Sequence, residues 1–373
     1  MTTAIPNSTV VSGARRVVKL PSPFMMRSGG ALQDAQLVCE TWGRLAADKS
    51  NVLLLFTGLS PSAHASSSPA DHTPGWWEEM LGPDKPLDTK RFHVVCINSI
   101  GSCFGSTGPA SIDPATGRPY ALHFPTLTVE DIATAAREAL RVLDIPRVHV
   151  VMGPSLGGMS ALAYAMLFPG EADVLVSISS ATHSEPFSIA VRSLQRELIR
   201  SDPAWKDGDY QVGEGPREGM RLARKLGMMS YRSAAEWVER FGRERASDDS
   251  GKPFGIEFEV EAYLESRARA FVGGFDPNSY LYLSRAMDLF DVAEHGGSVT
   301  KALSRLQLQQ AKVIGVESDI LFPLHQQRTL AHALQAAGVP TQLEALTSKQ
   351  GHDSFLVDMT RFRPAIADFL AGI

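Results

Sequence analysis

The chain has 373 residues, 44% hydrophobic and 21% charged, with a formal net charge of −5 at pH 7. That composition supplies a large apolar core, and the net negative charge argues against nucleic acid as a partner. No run of about 18 apolar residues predicts a membrane span, Met1 to Val18 lack the basic-then-apolar order of a secretory signal, and Cys39, Cys96 and Cys103 are too scattered for a disulfide framework, so a cytoplasmic enzyme with reduced thiols is expected.

Residues 1–17 are polar and rich in Ser and Thr, and a flexible N-terminus is expected there. Ala35–Trp42 alternates loosely and predicts a strand. Asn51–Phe56, His93–Ile97, Val148–Met152 and Lys312–Val316 are short apolar runs rich in β-branched residues, as strands buried on both faces of a parallel sheet require. Thr341–Leu346 is strand-like. Helices are predicted over Thr128–Leu143, where Thr128 and Asp131 form a capping-box variant, over Met159–Phe168, apolar almost all round, and over Gln326–Ala337, stopped by Gly338. Strands alternating with helices give the α/β class.

The stretch 185–298 breaks that rhythm. Its pattern predicts helices over Ser188–Arg200, Pro216–Met229, Ser233–Arg243, Glu257–Phe271 and Ser279–Phe290, with a charged loop at Arg243–Lys252. It is expected to be a helical lid inserted into a catalytic domain formed by 18–184 and 299–373.

Gly153-Pro154-Ser155-Leu156-Gly157 matches G-x-S-x-G, with a strand before it and a helix after it. That context marks a nucleophile elbow and predicts an α/β-hydrolase fold: a mostly parallel sheet flanked by helices, with the helical lid inserted. Glycines flank the serine because the turn is tight. The backbone N–H of Leu156 is one expected oxyanion donor, and Leu59, in the loop after the Asn51–Phe56 strand, the other. A serine hydroxyl needs a base. In this fold the chain order is Ser, acid, His, which selects Asp319 in Glu317-Ser-Asp319 and His352 in Gly351-His-Asp353, each just past a strand. His352 would take the Ser155 proton and Asp319 would orient the imidazole. Glu317 is the rival acid. His93 and His149 lie inside strand patterns, His325 and His332 on a helix, and His64, His72 and His123 in loops. With no H-E-x-x-H or C-x-x-C pattern, no metal is expected.

These residues resemble the homoserine O-acyltransferase family over almost the whole chain. The shared blocks are Glu40-Thr-Trp-Gly43, Gly75-Trp-Trp77, Gly101 through Tyr120, Gly153 through Met159, Ala223 through Tyr231, Phe275 through Tyr280, Ser318 through Pro323 and Gly351-His-Asp353. The resemblance implies transfer of an acyl group from acyl-CoA to an amino-acid hydroxyl by a ping-pong route, with Ser155, Asp319 and His352 as triad. It places Arg224 on the substrate α-carboxylate, Asp353 on the α-ammonium and Tyr231 in the pocket lining. It implies no cofactor beyond the acyl-CoA co-substrate. The helical lid offers a surface for a homodimer, and the other partners are small molecules rather than membranes.

Two departures sharpen this. Acetyl-transferring relatives carry a short turn after the first buried strand, whereas this chain has Thr57-Gly-Leu-Ser-Pro-Ser62-Ala63-His64-Ala65. That loop is similar to the branch that acylates serine with succinyl-CoA, and being longer it would shrink the acceptor pocket and favour serine, one methylene shorter than homoserine, a difference worth about 1–3 kcal/mol. Arg192 stands where acetyl-transferring relatives tend to have an uncharged residue, and either grips the distal carboxylate of a succinyl group or is a solvated lid arginine. Leu321 stands where homoserine succinyltransferases often have arginine. Serine O-succinyl transfer is therefore the leading reading. Homoserine O-acetyl or O-succinyl transfer, plain ester hydrolysis and a non-enzymatic member of the fold are the alternatives.

Overall fold

The structure is a computed structural model describing residues 14–211, 213–247 and 253–373. Eight strands form its central sheet: β1 (Arg15–Lys19), β2 (Gln36–Trp42), β3 (Val52–Phe56), β4 (His93–Asn98), β5 (Val148–Pro154), β6 (Ala172–Ile178), β7 (Gln310–Val316) and β8 (Thr341–Leu346). Their order across the sheet is β1-β2-β4-β3-β5-β6-β7-β8. β2 runs antiparallel to β1 and β4, and every other neighbouring pair is parallel. All of β3 and β4 is buried, as their unbroken apolar runs require.

β1 begins inside the stretch expected to be flexible. Most of that expectation, residues 1–13, lies outside the described residues, but Arg15–Val17 pair with Val38–Glu40. The charged side chains of this edge strand hide it from a pattern search and guard it against further pairing. β6 likewise lies outside the expected set.

The principal helices are α1 (Val129–Val142), α2 (Leu156–Leu167), α3 (Pro186–Arg200), α4 (Arg217–Tyr231), α5 (Ala234–Phe241), α6 (Glu259–Phe271), α7 (Pro277–Leu289), α8 (Leu324–Ala336) and α9 (Met359–Ala371). The Thr128–Asp131 capping box forms as predicted, each side chain accepting the other's backbone N–H. α1, α2 and α8 share one hydrophobic core with one face of the sheet, and α9 packs on the other, with Phe362, Ile366 and Phe369 buried against Trp77 and Phe92. Between β6 and β7 the chain makes α3 to α7, close to the five predicted helical segments. Residues 248–252 of the expected charged loop lie outside the described residues. No described helix is long and apolar enough to cross a membrane. β3, β5, β7 and β8 all point their C-terminal ends toward one place, where the candidate residues gather.

Candidate active site

β5 runs straight into Ser155, which takes φ 56° and ψ −122° before α2 begins at Leu156. A non-glycine residue held there is strained, and the surroundings force it. A Cβ on Gly157 would lie 2.5 Å from the Phe56 carbonyl oxygen, and one on Gly153 would lie 2.4 Å from the Gly157 backbone. The glycines let β3, the turn and α2 meet. The Ser155 N–H donates to the Ile178 carbonyl at 2.9 Å, which ties the elbow to β6.

The three predicted triad residues come together. His352 Nε2 lies 2.9 Å from Ser155 Oγ, and His352 Nδ1 lies 2.7 Å from Asp319 Oδ2. Asp319 Oδ1 accepts the N–H groups of Leu321 and Phe322, each at 2.9 Å, so the carboxylate is fixed in place. Glu317, the rival acid, is exposed. Burial pulls the His352 pKa down, but the charge and hydrogen bond of Asp319 outweigh it and raise the value above 6.5. The imidazole stacks on Phe322, with ring centres 5.2 Å apart, and meets Phe355 edge-on. Ser318 Oγ donates to the Ser348 carbonyl and accepts the Gly351 N–H, pinning the turn that carries His352.

The other histidines bind elsewhere. His93 bonds to the Gly43 carbonyl, His149 to Asp173, His183 to Thr182, His295 to Glu130, His325 to Glu185 and His64 to Glu40, while His72, His123 and His332 are exposed. Among the described residues, no group of three or more His, Cys, Asp or Glu side chains is placed to hold a metal ion.

Leu156 is the first residue of α2, so its N–H has no acceptor within the helix and sits at the positive end of the helix dipole. Leu59 lies in the turn that leaves β3 beside the elbow. Neither N–H donates to another backbone group among the described residues. Of the loop residues, Ala63 and Ala65 are buried, Ser62 Oγ accepts the His64 N–H, and the His64 ring turns to Glu40 and Thr73.

On α4, Arg224 has no carboxylate partner among the described residues, and its buried Nε has no hydrogen bond. The guanidinium lies over Phe271 at 4.3 Å and toward Tyr231 at 5.8 Å, and the Tyr231 ring is 6.3 Å from that of His352. A lone half-buried cation, separated from His352 by the Tyr231 ring, is a ready carboxylate receptor. Asp353 Oδ2 lies 3.3 Å from Arg232 Nε, and Arg232 also holds Glu236 at 2.8 Å.

Arg192 is not a solvated lid residue. It is 5% exposed, with Nε 2.6 Å from Asp288 and Nη2 2.6 Å from Ser184 Oγ, and Arg196 shares the same aspartate. Only its Nη1 lacks a partner among the described residues. Sequence reasoning also passed over Tyr280, which is buried, with burial pushing its pKa well up. Its position at the end of the Phe275–Tyr280 block was the available signal.

A family model described as alpha/beta hydrolase fold matches residues 51–358. A serine O-succinyltransferase of Litchfieldella anticariensis is 59% identical over 96% of this chain and 98% of its own. An L-serine/homoserine O-acetyltransferase of Streptomyces lavendulae is 56% identical over 96% and 97%. Among solved structures, a homoserine O-acetyltransferase from Bacillus anthracis superposes with a TM-score of 0.88 at 27% identity, covering 95% of this chain and 97% of its own. Esterase E22 superposes with a TM-score of 0.87 at 27% identity, covering 95% and 99%. The chain belongs to the α/β-hydrolase fold family and, within it, to the homoserine O-acyltransferase group, where it is most similar to the serine O-succinyltransferase branch.

Proposed function

We propose that this enzyme moves a succinyl group from succinyl-CoA to the hydroxyl of L-serine through an acyl-enzyme on Ser155. Ser155 Oγ attacks the thioester carbonyl as His352 Nε2 takes its proton, and Asp319 stabilises the imidazolium. The N–H groups of Leu156 and Leu59 hold the oxyanion. The C–S bond then breaks, and the thiol leaves with the His352 proton. L-Serine enters with its carboxylate on Arg224 and its ammonium at Asp353, while Tyr231 lines the pocket. Its hydroxyl gives a proton to His352 and attacks the acyl carbonyl. O-succinylserine departs as Ser155 takes the proton back. No cofactor beyond the acyl-CoA enters this scheme.

The observation that carries this reading is the lone Arg224 guanidinium beside a formed triad. An esterase needs the triad alone, whereas an acyltransferase must hold its acceptor so that it outcompetes water. A well-oriented acceptor reaches effective molarities of about 10⁵–10⁸ M, and a carboxylate receptor supplies the orientation. The relatives' names supply the substrates. The donor reading uses the free Nη1 of Arg192 as a contact for the distal carboxylate, and the acceptor reading uses the Ser62–Ala65 loop. A second reading, acetyl transfer to serine or homoserine, is favoured by Asp288, which already occupies Arg192 Nε. We place the enzyme in the cytoplasm as a homodimer joined through its lid helices. The test is thiol release from succinyl-CoA and acetyl-CoA, each with serine and with homoserine. Release with succinyl-CoA and serine supports the proposal, and release only with acetyl-CoA and homoserine sinks it.

A further inference from the structure

The loop after β3 carries the proposed oxyanion donor Leu59, and within it only Pro61 restricts the backbone by itself. The structure holds it from behind. The His64 ring sits between two acceptors: Nδ1 is 2.8 Å from Glu40 Oε2 on β2, and Nε2 is 2.9 Å from the Thr73 carbonyl. Thr73 Oγ1 also lies 3.2 Å from Nε2 but gives its proton to Asp71 Oδ1 at 2.6 Å, so both ring nitrogens face acceptors, which the doubly protonated imidazolium satisfies. Glu40 is 4% exposed, so the ion pair is well shielded from solvent screening. Around it, the Trp76 indole donates to the Ser62 carbonyl at 3.0 Å and the Trp77 N–H to the Ala65 carbonyl at 2.8 Å. The Trp77 indole donates to the Phe355 carbonyl at 2.8 Å, three residues beyond the catalytic histidine. One clamp therefore grips both the oxyanion loop and the His352 turn.

We propose that Glu40 and His64 are positioning residues, whose ion pair sets the 59–65 loop so that its amide meets the developing oxyanion at Ser155. This rests on the catalytic reading above and deepens it, because the pair then holds from behind the loop whose Ser62–Ala65 segment the acceptor reading uses. Other charged and titratable groups near the pair are few. Asp71 lies 3.9 Å from His64 Nδ1, Cys96 on β4 and Arg15 on β1 sit opposite Glu40 in register, and Arg15 turns its guanidinium to the Phe104 carbonyl. The hydrogen bond from Glu40 raises the His64 pKa to about 9 against the pull of burial. The clamp is intact below that value and is lost as pH rises through it.

The experiment follows acylation of Ser155 by succinyl-CoA in single turnovers from about pH 6 to about pH 10, read by mass on the Ser155 peptide. The wild type is expected to lose rate through about pH 9, a region where Cys39, pushed up to about 11 by burial, does not titrate. His64→Gln and Glu40→Gln should acylate about 10–100-fold more slowly and show no alkaline limb, with Glu40→Asp in between. In Glu40→Gln, amides 58–66 should also exchange hydrogen faster than in the wild type. An alkaline limb that persists in His64→Gln overturns the proposal. So does a variant that merely melts earlier while acylating at the wild-type rate. If wild-type Ser155 takes no acyl group, the catalytic reading falls, and unchanged loop exchange in Glu40→Gln overturns the clamp independently.

Discussion

Arg224 carries the distinction between transfer and hydrolysis, so its removal is the most informative perturbation. In Arg224→Met the apolar stem over Phe271 remains while the guanidinium is lost. A charged hydrogen-bonding group paired with a carboxylate contributes about 1.5–3 kcal/mol. At about 1.4 kcal/mol per tenfold, the apparent KM for L-serine should rise about 10- to 150-fold. Formation of the acyl-enzyme makes no use of the acceptor, so thiol release in a single turnover should stay within about twofold of wild type. The discharged product should shift from O-succinylserine toward free succinate. Stopped-flow thiol detection separates the half-reactions, and product analysis gives the partition. Equal losses in both half-reactions would show that Arg224 only supports the fold. An unchanged serine KM would refute its assignment as the carboxylate receptor.

Three further outcomes follow from the geometry. Asp319→Asn leaves the Leu321 and Phe322 N–H contacts available but favours the wrong imidazole tautomer, so kcat should fall about 10³–10⁴-fold, measured by steady-state thiol release. His352 must be neutral to act as base, and its pKa is raised by Asp319 against burial. The acid limb of kcat/KM should therefore have its midpoint above 6.5, with activity lost as pH falls, and a midpoint below that value would contradict the ion pair. Gly157→Ala places a methyl 2.5 Å from the Phe56 carbonyl oxygen, which should destabilise the fold by about 1–3 kcal/mol in urea unfolding and abolish Ser155 labelling by an acylating reagent.

Much of this site was legible because its signals are local. G-x-S-x-G needs close backbone approach, and the sequence shows the glycines at the positions where β3 and α2 crowd the turn. Chain order then selected Asp319 and His352, which the structure brings within hydrogen-bonding distance. The strands buried on both faces were equally plain. β1 was hidden because an edge strand carries Arg15, Arg16 and Lys19, and α9 because Pro364 interrupts its pattern. β6 has the same apolar signal as its neighbours, but it follows the apolar helix α2 after a short turn and its boundary is blurred. What no local pattern contains is pairing at a distance. That Asp288 holds Arg192, that Arg232 holds Asp353 and that Glu40 holds His64 depend on side chains far apart in the chain.

The central claim is that Ser155 carries a succinyl group and hands it to L-serine. Rapid quenching after mixing with succinyl-CoA alone, followed by peptide mass analysis, tests it directly. The account predicts one succinyl group on the Ser155 peptide, stable for many turnovers' length in buffer and discharged to O-succinylserine when L-serine is added. An unlabelled Ser155 peptide, or an adduct that water clears as fast as serine does, would contradict it.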